Sequence, residues 1–209
     1  MSAIITEKFR QHNATQFFES FSESSKSLYY LFIGKATAYT TATTTGSDSS
    51  PPTPADAVGE TEYYAWDSML AAKNIASSDI TYALPRRNWT NGTTYDMYEH
   101  NISSSNTSTS GASNLYDSTF YFLTSDNRVY KVLDNNAGTA YSGSEPTSES
   151  TSPFELGGYV LKYMYSVTSA EAAKYLTTDF MPVSTDSTVS AAATDGKIES
   201  LSITAGSGY

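Results

Sequence analysis

Residues 119–133 have the sequence TFYFLTSDNRVYKVL, and they decide the fold class of this chain. Two runs of β-favouring residues, 119–124 and 128–133, flank Ser125, Asp126 and Asn127. Turn residues between two such runs predict a β-hairpin. Further along, residues 159–167 (YVLKYMYSV) place Tyr, Leu or Val at every second position, which is typical of a half-buried strand. The sequence therefore predicts a sheet in this part of the chain.

A helix is predicted near the start of the chain. Asn13 and Gln16 form an Asn-x-x-Gln capping box, which is a helix-start signature. Three phenylalanines follow at helical spacing, and the Ser-rich residues 22–27 then interrupt the pattern. We therefore predict a helix that begins at Asn13 and ends in this serine-rich stretch.

Two further helices are predicted from spacing and capping. Aromatic and aliphatic residues recur every three or four positions in residues 60–73, which favours an amphipathic helix. Thr168 and Glu171 match a capping box, so we predict a short helix over residues 170–176.

Three other short segments are predicted as strands. Residues 28–33 (LYYLFI) form a continuous apolar run before Gly34, and a run of this length favours a buried strand over a helix. Residues 80–84 are a strand candidate. Residues 180–183 are predicted at a sheet edge, because Pro182 has no N–H group to donate to a neighbouring strand.

These segments together predict an α+β, β-leaning fold, with antiparallel or mixed sheets, a few short helices and long Ser/Thr-rich loops. The loops are predicted near residues 36–55, 101–114 and 135–153, inside a domain region at 1–183. Residues 184–209 are interpreted as a linker and the start of a further β element. Because that element lacks a returning strand, we expect either an N-terminal part of a longer protein or a partner strand from another chain.

Composition excludes several classes of function. The 209 residues carry 22 acidic against 12 basic side chains, for a formal charge of −10, and such a chain repels nucleic-acid phosphates. There is no cysteine, so disulfides and thiolate metal sites are excluded. No apolar run is long enough to span a membrane, and residues 1–10 lack the apolar core of a signal peptide.

The sequence offers little chemistry for catalysis or for a cofactor. His12 and His100 lie far apart, and neither metal-ligand spacing nor a phosphate-binding glycine loop is present. We therefore predict no catalytic, cofactor-binding or metal-binding residue and no small-molecule substrate. A glycosidase would need two carboxylates across a cleft. The carboxylates available for such a pair are Glu60, Glu62, Asp67 and Asp96, as in almost any acidic protein.

The most unusual segment is residues 84–89 (LPRRNW), where scarce positive charge lies beside a tryptophan. Arg and Trp are over-represented at interface hot spots, and the Arg fork suits carboxylates and carbonyls. Arg86, Arg87 and Trp89 are therefore candidates for a partner anchor or an interdomain clamp. The alternative is a structural turn in which Arg86 or Arg87 neutralises an acidic neighbour, and the sequence does not separate the two.

The ordered set of segments resembles a known family, the dimeric baseplate wedge subunit of T-even-like contractile-tailed phages (the eighth gene product), in its cyanophage form. Pro85 to Trp89 is the most specific part of the resemblance, and the collinear set counts for more than any member. The other segments are IITEKFR at 4–10 followed by a Phe-rich helix, LYYLFIG at 28–34, VYKVLD at 129–134, GYVLKYMY at 158–165 and FMPV at 180–183.

The resemblance implies a structural role and no cofactor. It implies a homodimer that contacts other baseplate wedge proteins, located in the virion tail baseplate and assembled in the host cytoplasm. We hypothesise that the tyrosine-rich strands and the segment from Arg86 to Trp89 lie at or near subunit interfaces. Replacing Trp89 with alanine is then expected to weaken wedge assembly.

Two rival functions remain open from sequence. A host-binding tail fibre or adhesin would suit the Ser, Thr and Tyr content, although fibres are commonly repetitive and this chain has no clean repeat. A tail-associated cell-wall hydrolase would need the carboxylate pair described above.

Overall fold

A computed structural model describes residues 6–23, 28–34, 47, 49–50 and 66–184, without the side chain of Glu7. The chain divides into an N-terminal unit, Met1–Ile80, and a C-terminal unit, Thr81–Tyr209. Among the described residues, no helix is long and apolar enough to cross a membrane.

The N-terminal unit begins with helix α1, Glu7–Ser20. Thr6 is its N-cap, and the Thr6 side chain accepts a hydrogen bond from the Phe9 N–H at 3.2 Å. The prediction that the helix begins at Asn13 is therefore wrong, because Thr6 satisfies the N–H groups of the first turn and Asn13 lies inside the helix. The predicted end is close to the observed one.

Two strands follow in this unit and form an antiparallel pair. Strand β1, Tyr29–Ile33, pairs with β2, Ala71–Ile75. The strand prediction for 28–33 is confirmed, but the prediction that it is buried is wrong, since four of the five β1 residues are exposed.

The predicted helix over 60–73 is wrong where it reaches β2. Trp66 and Asp67 are helical, residues 60–65 lie outside the described residues, and the chain is a strand from Ala71 onward. Pairing with β1 overrides the helical spacing of the apolar residues, as tertiary contacts commonly do for weak local patterns. A short 3₁₀ helix, Ser77–Asp79, follows β2.

The C-terminal unit contains a four-stranded antiparallel sheet and a separate two-stranded one. The larger sheet has the order β4-β5-β7-β6, and the smaller sheet pairs β3 with β8. The strands are β3 Ala83–Pro85, β4 Tyr121–Leu123, β5 Arg128–Asp134, β6 Phe154–Leu156, β7 Tyr159–Ser166 and β8 Phe180–Pro182.

The predicted hairpin is confirmed as β4 and β5. Asn127 has a φ of 60° in its turn, a conformation that Asn adopts more readily than most residues. The strand predicted at 80–84 is present but begins later, at Ala83, and the edge segment at 180–183 is confirmed in the two-stranded sheet.

The larger sheet buries apolar side chains on both faces. Alternate residues of β4 and β5 enter two separate clusters, so Phe122 and Tyr130 belong to one and Leu123 and Val129 to the other. A β-bulge in the pairing of β5 with β7 separates Tyr163, which packs against the first cluster, from residues that pack against the second. Simple alternation along 159–167 therefore does not continue past the bulge.

Helix α2, Ser169–Tyr175, follows β7 as predicted. The Thr168 side chain accepts from the Glu171 N–H, and the Glu171 carboxylate accepts from the Thr168 N–H, which completes the capping box.

The long loops agree with the prediction where they are described. Residues 101–114 and 135–153 contain turns and one isolated β-bridge, with no helix or strand. Most of 36–55, and all of 185–209 with the predicted further β element, lie outside the described residues. The fold is a β-leaning α+β arrangement with antiparallel sheets, as the sequence predicts.

Candidate interaction surfaces

Arg86 lies directly after β3 and contacts the segment between α2 and β8. Its N–H donates to the Asp179 carbonyl at 2.7 Å, and its Nη1 donates to the Thr177 carbonyl at 2.9 Å. Its Nε donates to the Asn88 side-chain oxygen at 2.9 Å. One arginine thus fixes two carbonyl groups that lie about ninety residues away in the sequence.

Arg87 contacts a different loop. Its Nη2 donates to the Tyr116 carbonyl at 2.8 Å, its guanidinium lies 5.6 Å from the centre of the Tyr121 ring, and its own carbonyl accepts from the Leu123 N–H at 2.7 Å. The guanidinium is therefore placed by a carbonyl and an aromatic face, both of which suit its planar fork.

Trp89 packs into the core of the C-terminal unit. The Trp89 ring packs edge to face against the Tyr141 ring, with 5.9 Å between the ring centres. The backbone N–H of Trp89 donates to the Leu123 carbonyl at 2.8 Å. The Trp89 Nε1 and the Arg87 Nε are buried and have no acceptor among the described residues. The indole therefore contributes through the packing of its ring and its backbone pairing.

The three candidate residues thus contact the C-terminal unit itself. In the described part of the chain, neither Arg86 nor Arg87 forms an ion pair with a carboxylate. Among the described residues, each guanidinium instead donates to one backbone carbonyl, Arg86 to that of Thr177 and Arg87 to that of Tyr116.

Asp96, one of the candidate glycosidase carboxylates, is completely buried and saturated with hydrogen bonds. Its Oδ2 accepts from the hydroxyls of Ser108, Ser110 and Ser118 and from the Thr119 N–H, at 2.7–2.9 Å, and its Oδ1 accepts from the Ser110 N–H at 2.6 Å. This carboxylate ties the loop after residue 101 to the start of β4.

The electrostatics of Asp96 follow from these bonds. Burial by itself raises the pKa of the carboxyl, but the hydrogen bonds from Ser110, Thr119 and Ser118 outweigh burial and lower the pKa to about 2. Such a group stays ionised and makes a poor general acid or base. Among the described residues, no group of three or more His, Asp or Glu could hold a metal ion.

Tyrosine hydroxyls connect the sheet to the surrounding loops. Tyr130 donates to the Ser148 carbonyl at 2.8 Å, and Tyr141 donates to the Ser144 carbonyl at 3.0 Å. Burial raises the pKa of each of these two tyrosines to about 12. Tyr95 and Tyr159 also donate to loop carbonyls, those of Thr90 and Thr139. Tyr121 and Tyr165 donate to the carbonyls of Pro85 in β3 and Pro182 in β8.

These contacts bear on the hypothesis that the tyrosine-rich strands lie at or near subunit interfaces. The rings of Tyr121, Tyr130 and Tyr159 are buried within the C-terminal unit and do not face another subunit, whereas Tyr163 and Tyr165 of β7 are partly buried. The reason is that the sheet packs on both faces, which the alternating sequence pattern does not reveal.

The N-terminal unit differs, because its strand β1 is exposed. We define the β1 surface as the side chains of Tyr30, Leu31, Phe32 and Ile33, which are 46–63% exposed. Helix α1 covers only the start of the strand, where Phe17, Phe21 and Tyr29 stack against one another. Other large apolar side chains exposed in this unit are Phe9, Phe17, Leu28, Trp66 and Leu70.

Sequence reasoning therefore missed two features. It treated Asp96 only as an available carboxylate, although the density of serine and threonine after residue 101 supplies the hydroxyl donors that a buried carboxylate needs. It interpreted β1 as a buried strand, and nothing in its composition indicates exposure, since apolar strands of this length are usually buried.

Comparison with known proteins places this chain in a family. A search of curated proteins found no match to this chain. The family model described as "Bacteriophage T4, Gp8" matches residues 3–151, which are 149 of the 209 residues, and it spans β1, Asp96 and all three candidate anchor residues. The chain therefore belongs to the Bacteriophage T4, Gp8 family of structural proteins of the phage tail baseplate wedge.

Proposed function

We propose that this protein acts solely through protein–protein contacts in the wedge, as a homodimer that also binds other wedge proteins during assembly and contraction of the tail. In this proposal it is a cyanophage-type member of the family, is assembled in the host cytoplasm and has no catalytic activity. The observation that carries the proposal is the match of residues 3–151 to the Gp8 family.

The β1 surface supports a role in an assembly. A two-stranded ribbon is marginally stable in water, and one that exposes four consecutive large apolar residues gains free energy when protein covers it. Exposed apolar patches of this kind mark interaction sites. The strand carries no charge, proline or glycine, which are the features that keep exposed strands apart.

Arg86, Arg87 and Trp89 act, in this proposal, as structural anchors of the C-terminal unit. They connect β3 to the segment after α2, to the loop at Tyr116 and to the core. Their effect on assembly is then indirect, because they hold the surfaces that neighbouring proteins contact.

The test is to locate the chain in a cryo-EM map of the intact tail. We expect two copies in each wedge and protein covering the β1 surface. A chain that is absent from the baseplate, or present as a single copy that touches no other tail protein, would contradict the proposal.

A peptidoglycan zymogram of the purified chain tests the absence of catalysis. We expect no clearing, because Asp96, one of the candidate carboxylates, is completely buried and bonded to its own loop, out of reach of a substrate. Clearing that disappears in a variant of one acidic residue would support the hydrolase instead.

A further inference from the structure

Tyr116 is the most exposed of the large apolar and aromatic side chains in the described part of the C-terminal unit. It is 63% exposed, whereas Phe122 and Tyr130 in the same unit are fully buried. Phe180 is 45% and Tyr82 is 38% exposed, so Tyr116 is the most exposed ring among the described residues of this unit.

Two sets of hydrogen bonds fix the backbone at Tyr116. Arg87 donates to the Tyr116 carbonyl at 2.8 Å. Asn114 and Asp117, on either side, exchange hydrogen bonds: the Asp117 N–H donates to the Asn114 Oδ1 at 3.0 Å, and the Asn114 Nδ2 donates to the Asp117 Oδ2 at 2.7 Å. These contacts fix the turn that carries the exposed ring.

A third restraint lies immediately after the turn. Ser118 and Thr119 both donate to the buried Asp96 carboxylate, at 2.9 and 2.8 Å. The burial of a charge is costly without hydrogen bonds, and the five that reach this carboxylate hold the loop against the segment before β4. Long loops without helix or strand that are nevertheless ordered are commonly functional.

We propose that Tyr116 is a docking residue, presented by this fixed turn to another protein of the tail. A rigid tyrosine loses little conformational entropy on binding and supplies a large ring with a polar tip, which suits it to interface hot spots. Arg87 is then a positioning residue, which acts through the Tyr116 carbonyl.

The chemistry of the turn indicates the kind of partner. Asp117 is exposed beside the ring, and the whole chain carries a formal charge of −10. The partner surface is therefore an apolar recess for the Tyr116 ring, rimmed by lysine or arginine side chains that pair with the acidic turn. This inference rests on the proposed role of the chain in a protein assembly.

The experiment supplies the full chain from a plasmid during infection by phage that lack their own copy. Tyr116→Ala, Tyr116→Phe and the control Tyr82→Ala, another exposed tyrosine of the same unit, are compared for the amount incorporated into purified tails. We expect about 30-fold less incorporation of Tyr116→Ala, the fold-change that corresponds to the loss of a hot spot, and nearly full incorporation of the other two. Thermal unfolding of purified Tyr116→Ala should match that of the unaltered chain.

The unaltered particle gives an answer that does not depend on the folding of any variant. In a cryo-EM map of the tail, the Tyr116 ring should lie within about 4 Å of side chains from another protein, with basic residues near Asp117. A ring that faces solvent there, or normal incorporation of Tyr116→Ala, overturns this inference while the chain remains a wedge subunit. Absence of the chain from the tail overturns the proposed function itself.

Discussion

The two units of this chain use their aromatic residues in opposite ways. The C-terminal unit encloses Phe122, Tyr130 and Tyr159 completely, and the hydroxyls of Tyr130 and Tyr159 donate to loop carbonyls. The N-terminal unit leaves Leu31 62% exposed and Phe32 46% exposed on a two-stranded ribbon. The comparison teaches that the C-terminal unit carries its own core, whereas the N-terminal unit gains stability when other polypeptide covers its exposed strand.

The largest expected effect comes from truncating a fully buried ring of the C-terminal unit. Phe122→Ala should lower the free energy of unfolding of the C-terminal unit by about 3–5 kcal/mol, because it removes a fully buried ring and leaves a cavity. The matched change Phe32→Ala should alter the stability of the isolated chain by less than about 0.5 kcal/mol, since surface substitutions rarely do more.

Urea denaturation followed by far-UV circular dichroism measures both variants. Equal losses for Phe122→Ala and Phe32→Ala would show that β1 belongs to a core in the isolated chain, and the contrast between the units would then be wrong.

A smaller effect is expected at Asp96. Asp96→Asn keeps the shape of the side chain but places an N–H₂ group among hydrogen-bond donors. We therefore expect the free energy of unfolding of the C-terminal unit to fall by about 2–4 kcal/mol. The control is Glu155→Gln, which changes an exposed carboxylate on β6 and should have little effect.

The pH dependence of stability follows from the same carboxyl. Its folded pKa of about 2 lies below the ordinary value of about 3.9, so its contribution is fully present above pH 4 and is lost as the pH falls through 2. Denaturation of the unaltered chain and of Asp96→Asn between pH 2 and 7 measures this. If the difference in stability between the unaltered chain and Asp96→Asn stayed constant as the pH fell, Asp96 would not be the carboxyl with the lowered pKa.

The smallest expected effect comes from a single tyrosine hydroxyl. Tyr130→Phe removes the hydrogen bond to the Ser148 carbonyl and should cost about 1 kcal/mol, whereas Tyr30→Phe on the exposed strand should cost almost nothing. Thermal unfolding compares the two variants. If Tyr30→Phe destabilised the chain as much as Tyr130→Phe does, the Tyr30 hydroxyl would also form a stabilising hydrogen bond, and the contrast between the two units would be weaker.

Much of the C-terminal unit was predictable from sequence because its signals are local. The turn at Asn127 and the capping box of Thr168 and Glu171 each depend on residues within a few positions of one another. The helix start at Asn13 failed for a related reason, since Thr6 offers an equally good cap earlier in the chain and nothing local ranks the two.

The candidate anchor residues were found by sequence, but their contacts were not. Arg86 and Arg87 stood out because positive charge is scarce in this chain. Their acceptors, the carbonyls of Thr177 and Tyr116, lie 91 and 29 residues away, and a carbonyl has no residue identity that a sequence pattern could reveal.

By itself, the sequence determined the β-leaning class, the hairpin, the short capped helix and the family resemblance, because turn residues, caps and alternation act over short distances. Only the tertiary structure decided which apolar strand is covered and which carboxylate is buried. Burial depends on what packs against a residue from distant parts of the chain, so LYYLFI at 28–33 became an exposed strand, while Asp96 became the centre of a buried hydrogen-bond network.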